Sequence, residues 1–144
     1  MTSWERDLDL AHTLADAADA LTLTRFRAHD LQVETKPDLT PVSDADRDVE
    51  HELRRILRSA RPSDAVLGEE YGLDGDGPRR WVLDPIDGTK NFVRGIPVWA
   101  SLIALQDSVR QPWLHLVDGG VSDNLGLRAF LDLQRAVMNR ELRA

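Results

Sequence analysis

The 144-residue chain contains no cysteine, which excludes a disulfide framework, a thiolate zinc site and a cysteine nucleophile together. Any metal it binds must be held by oxygen or by one of its four histidines. No apolar run approaches the roughly 18 residues of a membrane span. The acidic, polar start lacks the basic and apolar stretches of a secretory signal. These absences predict a cytoplasmic protein with no membrane partner. Positive charge is also in short supply: 18 Lys and Arg stand against 25 Asp and Glu, a formal net charge of −7. That balance disfavours nucleic acid, whose binding rests on neutralising phosphates with Lys and Arg. An acidic protein that takes a phosphate ester needs cations to receive it. The chain has no internal repeat and no low-complexity segment.

What is present is the composition of a globular protein, 42% hydrophobic and 30% charged, in a chain long enough to bury a core. The charge is uneven. Residues 1–105 hold 20 acidic and 13 basic side chains, whereas residues 106–144 hold five of each. The composition shift near Gln106 predicts two segments, 1–105 and 106–144.

Trp4, Leu8, Ala11, Ala15 and Ala18 recur at helical spacing behind Thr2-x-x-Glu5, a capping box, and predict an amphipathic helix. Ser43-x-x-Asp46 caps a second helix whose apolar face is Val49, Leu53, Ile56 and Leu57, ending near Arg61-Pro62. Between them, Lys36-Pro37-Asp38 and Pro41 block a helix and suit two extended segments joined by a turn. Ala65–Leu67 and Trp81–Leu83 read as buried strands that end in carboxylates, and Val98–Leu105, apolar on both faces, reads as a central strand. Asp74-Gly75-Asp76-Gly77-Pro78 lacks the closing Glu of a calcium loop and reads as an exposed turn.

The chemistry concentrates in Asp84-Pro85-Ile86-Asp87-Gly88-Thr89. Two carboxylates three residues apart follow a strand directly, and Gly88 permits a backbone turn that a Cβ would resist. Such carboxylates are also common turn formers and helix caps, and both roles stay open on spacing alone. Hard oxygen ligands converging on one point suit Mg²⁺, and a helix starting at Thr89 would set its free N–H groups beside it.

Gly68-Glu69-Glu70 followed by Trp81-Val82-Leu83-Asp84-Pro85-Ile86-Asp87-Gly88-Thr89-Lys90-Asn91-Phe92 is similar to the two N-terminal motifs of the inositol monophosphatase superfamily. The stretch Asn91–Leu105 resembles its bacterial histidinol-phosphate phosphatases more than its inositol-phosphate members. The resemblance implies the first half of a layered α/β/α fold and hydrolysis of a small phosphate monoester, histidinol phosphate first, by a metal-activated water with two or three Mg²⁺ ions. It implies that Glu69, Asp84 and the carbonyl of Ile86 hold one ion and that Asp87 shares a second. Thr89, paired with Asp46, would orient and deprotonate the attacking water; Asp46 also has a sufficient structural role as a helix cap. Glu70 would be an acid behind the ligands, Gly88 and Thr89 would offer N–H groups to the phosphate, and Lys36 matches a lysine near the site in some members.

Complete members are about twice this long and supply a further metal-binding aspartate from a Trp-Asp motif that is absent here. After Leu105 the chain reads differently. Leu114–Arg128 resembles the C-terminal motif of patatin-like lipid hydrolases, with Asp118 at the dyad aspartate, but the chain has no G-x-S-x-G nucleophile elbow. Asp118-Gly119-Gly120 and Asp123-Asn124 read as turns, and Leu125–Leu142 as a terminal helix. Three accounts follow: a short phosphatase that completes its site as a homodimer, a junction of two unrelated pieces with an incomplete, inactive site, or a binding module. Weak metal binding and low stability are expected unless a partner covers the exposed edge.

Overall fold

A computed structural model describes residues 2–109 and the backbone of residues 111–119. The readings placed on residues 120–144, including the Asp123-Asn124 turn and the Leu125–Leu142 helix, lie outside the described residues.

The chain begins with helix α1 (Ser3–Arg25), whose Thr2 cap accepts from the Glu5 N–H while Glu5 reaches back to Thr2. A short hairpin follows, β1 (Val33–Thr35) paired antiparallel with β2 (Pro41–Ser43). It contains the two extended segments and the turn that the prolines predict. Helix α2 (Asp44–Ala60) then starts from the Ser43 cap and stops just before Arg61-Pro62, where the proline ring and its missing N–H exclude further helix.

The main sheet consists of β3 (Ala65–Gly68), β4 (Gly72–Asp74), β5 (Arg79–Asp87), β6 (Ala100–Asp107) and β7 (Gln111–Gly119), in spatial order β4-β3-β5-β6-β7. Only β3 and β5 run parallel; the other neighbours are antiparallel. A five-residue helix, α3 (Thr89–Val93), separates β5 from β6. The strand expected from Val98 begins instead at Ala100, because Val98 is exposed and Trp99 turns into an aromatic cluster with Phe26 and Phe92. Strand β4 carries no apolar alternation: its Leu73 and Asp74 are exposed on the sheet edge.

Helices α1 and α2 lie together on one face of the sheet. Leu8, Leu14, Val49, Leu53 and Leu57 from the helices meet Val66, Trp81, Leu83, Ile103 and Leu105 from the strands in one core. Each such side chain, fully buried, contributes on the order of 1.5–3 kcal/mol of apolar burial. The alternate residues Leu67, Val82, Leu102 and Ala104 point to the other face and are half-buried. The described residues thus form an α/β architecture, a helical layer on a sheet of mixed parallel and antiparallel strands. Gln106, where the composition shifts, lies inside β6, and the ladder continues across it into β7, with Asp118 opposite Ser101 and Gly119 opposite Ala100.

Candidate metal centre

The site is assembled where two parallel strands end. The register of β3 and β5 sets Gly68 against Leu83, so Glu69, just past the end of β3, and Asp84, still paired with β6, sit side by side at the same end of the parallel ladder. The Glu69 N–H extends the ladder by one bond, 3.1 Å to the Leu83 carbonyl. Beyond Asp84 the pairing with β6 slips: Asp84 faces Leu102, but Asp87 faces Ala100. The extra residue is a β-bulge, and it releases two carbonyls from the ladder. The Pro85 carbonyl accepts from Ser101 Oγ at 2.7 Å, and the Ile86 carbonyl lies within hydrogen-bond distance, 2.8 Å, of Thr89 Oγ1. Gly88 follows at φ 90°, the left-handed region where a Cβ is strained, and its carbonyl starts α3. This is the turn expected of that glycine.

Thr89 and Asp46 meet although they are far apart in sequence. Thr89 Oγ1 lies 3.0 Å from Asp46 Oδ1, while Asp46 Oδ2 accepts from the Ser43 N–H and hydroxyl at 2.7 and 2.6 Å. Burial raises the Asp46 carboxyl above its usual range, against the opposing effect of the bonds from Ser43 and Thr89. Asp46 is therefore a helix cap with one oxygen left for Thr89.

Lys36 is drawn between two carboxylates, 3.0 Å from Glu69 and 2.7 Å from Glu70. Burial works to lower its pKa, but the bonds to Glu70 and Glu69 prevail and raise it. Burial likewise raises Glu70, with Lys36 opposing.

Asp84 is the site carboxylate with an unsatisfied oxygen. Its Oδ1 is buried without a hydrogen-bond partner, a state that ordinarily costs free energy. Burial first, then the Glu69, Asp87 and Asp46 carboxylates, push its pKa up to about 8. An oxygen-only donor set with a partnerless carboxylate oxygen and excess negative charge fits a hard divalent cation. Among the described residues no three acidic or histidine side chains close around one point by themselves.

Glu69, Asp84, Ile86, Asp87, Gly88 and Thr89 line one cavity of about 310 Å³ together with Asp38, Thr40, Pro41 and Lys90. Asp46 reaches it through Thr89, and Lys36 and Glu70 through Glu69. Two larger clefts of about 380 Å³ exist. In one, Asp7, Asp64 and Asp107 are already paired with Arg79, and Asp7 with Arg61 as well, and the other has no acidic lining residue. Of these three, the smaller cavity is the one that combines several carboxylates with an unpartnered oxygen. Sequence reasoning missed Ser101, which reads as one polar position in an apolar strand, and the hairpin residues Asp38 and Thr40.

The profile of the inositol monophosphatase family matches residues 3–117. A histidinol-phosphatase from Streptomyces coelicolor is 64% identical over 120 residues, which cover 81% of this chain and 45% of that protein. Among solved structures, the extragenic suppressor protein suhB from Bartonella henselae superposes with a TM-score of 0.70 at 31% identity, over 78% of this chain and 45% of the other. An inositol monophosphatase from Zymomonas mobilis superposes with a TM-score of 0.63 at 42% identity, over 82% and 45%. The chain thus spans less than half the length of these relatives. On the family match, the fold and the motifs that build the cavity, the chain belongs to the inositol monophosphatase family.

Proposed function

We propose that the chain supports Mg²⁺-dependent hydrolysis of a phosphate monoester, with histidinol phosphate as substrate and histidinol and phosphate as products. The observation that carries this is the buried, partnerless Oδ1 of Asp84 between Glu69 and Asp87, beside the Thr89–Asp46 pair. The substrate rests on the 64% identity to a protein named histidinol-phosphatase.

In this reading Glu69, Asp84 and the Ile86 carbonyl hold one ion and Asp87 shares a second. Two or three Mg²⁺ ions, when bound, supply positive charge for the phosphoryl oxygens and acidify the attacking water. The chain's own residues supply the rest. A threonine hydroxyl has one proton and two acceptor lone pairs. When Thr89 donates to Asp46, its lone pairs accept a hydrogen bond from the water. The water proton then passes to Thr89 as the Thr89 proton passes to Asp46, whose burial favours the protonated form. The oxygen of that water bonds to phosphorus, the ester P–O bond breaks, the departing alkoxide takes a proton from a solvent water, and Asp46 returns the proton it received to solvent. The N–H groups of Gly88 and Thr89 face the phosphate, and Lys36 holds Glu70 and Glu69 in place.

A second reading, an inositol-1-phosphate or other sugar-phosphate phosphatase, is favoured by the 42% identity to the Zymomonas mobilis structure. Purified protein assayed on histidinol phosphate, inositol-1-phosphate and an aryl phosphate, with and without Mg²⁺, separates the two. Metal-dependent turnover lost in Asp87→Asn supports the proposal. Absence of turnover, together with no thermal shift on adding Mg²⁺, refutes it and favours an incomplete, inactive site.

A further inference from the structure

We propose that Glu50, on α2, is a positioning residue that sets the Glu69–Glu70 turn and through it the metal affinity of the site. The proposal rests on the metal-centre reading above.

Glu50 is a fully buried charge, 0% exposed. Its Oε2 accepts from the Glu70 N–H at 2.7 Å, and its Oε1 accepts from the Tyr71 N–H at 3.1 Å and from Arg54 Nε at 2.8 Å. Arg54 spans the same turn, donating from its second nitrogen to the Gly72 carbonyl. The β3–β4 ladder pairs Gly68 with Gly72, so residues 69–71 form the entire turn. Every N–H in that turn is therefore fixed: Glu69 to the neighbouring strand at Leu83, Glu70 and Tyr71 to Glu50. Gly68 completes the fit, because a Cβ there would lie 1.9 Å from Glu50 Oε1.

A buried ion pair is weak evidence of stability, since desolvation offsets its attraction. Here the ladder already joins β3 to β4 without it. What Glu50 adds is placement of the backbone behind two acidic side chains, one lining the cavity and one bound to Lys36. A carboxylate is also the one side-chain end group of this shape that accepts from three donors. Glutamine would turn an NH₂ toward at least one of them.

The test uses the full chain, Mn²⁺ as a spectroscopic substitute for Mg²⁺, and site-resolved amide hydrogen exchange. In Glu50→Gln, Mn²⁺ binding weakens about 10- to 100-fold, the usual effect of removing a group that orients a ligand. The Glu70 and Tyr71 amides exchange faster, while those of β5 keep their protection. Leu57→Ala, on the same helix, lowers the melting temperature and leaves Mn²⁺ affinity unchanged. Wild-type affinity in a folded Glu50→Gln, or unchanged exchange at Glu70 and Tyr71, overturns the proposal. If the parent protein itself binds no Mn²⁺, the metal reading falls, and exchange alone decides whether Glu50 grips the turn: selective loss at residues 70 and 71 sustains it, uniform loss overturns it. Should Glu50→Gln fail to fold, Gly68→Ala displaces the same carboxylate from the opposite side, and the same selective pattern is required of it.

Discussion

Replacing Asp84 with Asn should stabilise the metal-free protein, and do so in a pH-dependent manner. The folded state pushes the Asp84 pKa from 3.8 up to about 8, through burial and then the Glu69, Asp87 and Asp46 carboxylates. For a fully enclosed group such a rise corresponds to about 6 kcal/mol. Asp84 is only half-buried, so solvent screening reduces this to about 2–3 kcal/mol. The sign follows from linkage. The folded carboxyl holds its proton more tightly than the unfolded one, so its favourable contribution is complete below about pH 4 and is lost as pH rises to about 8. Asn removes that loss. In EDTA, urea unfolding of Asp84→Asn and parent protein should diverge progressively across this window, with the variant more stable by about 2–3 kcal/mol at pH 9. Taking the difference between the two curves cancels what Asp46 and Glu70, which shift in the same direction, contribute on their own, and leaves Asp84 with its repulsion from its neighbours. Mg²⁺ at 100 times its Kd adds about 2.7 kcal/mol to the protein that binds it and should bring the two curves together at pH 9, and at 1,000 times its Kd, with about 4.1 kcal/mol, it should invert the order. Parallel curves in EDTA would refute the reasoning, as would equal gains with Mg²⁺.

Arg79→Met removes the cation shared by Asp7, Asp64 and Asp107, at 2.9, 3.3 and 3.2 Å, and should cost about 2–4 kcal/mol in urea unfolding, because three largely buried carboxylates each lose one charged partner. Phe92→Ala empties the centre of the cluster in which Phe26 and Trp99 lie 5.6 and 5.0 Å from its ring. It should cost about 3–5 kcal/mol and shift the Trp99 emission to the red as water reaches the indole.

The parts of the fold that local chemistry determines were legible in the sequence. Both capping boxes announce their helices, because Ser, Thr and an acid three residues on satisfy N–H groups that nothing else satisfies. The prolines around Lys36 enforce the hairpin, and Asp84–Thr89 carries its turn in Gly88. Strand β4 was not legible, since three residues on an exposed edge bury nothing that would impose a period of two. The network around Arg79 was equally silent: its acids come from α1, a loop and β6, and only the tertiary fold brings them together. Within the site, the ligating types were visible and their support was not. Ser101 and Glu50 act on backbone atoms of residues far away in sequence. For Glu50 a trace existed, because Asp46, Glu50 and Arg54 recur every four residues beside the apolar stripe of α2, but charged residues at that spacing usually face solvent.

The parallel pairing of β3 with β5 has a consequence for how such a chain can diverge. The distance between Glu69 and Asp84 is held by the hydrogen-bond ladder that sets Gly68 against Leu83, and not by the length of chain joining them. That connection returns through β4 and turns at Gly75–Pro78, at the end of the sheet remote from the cavity. Insertions and deletions there can accumulate without altering the site, whereas a single residue added within β3 would carry Glu69 to the opposite face. The length of the far loop is free to drift between lineages, while the count of residues in two short strands is not.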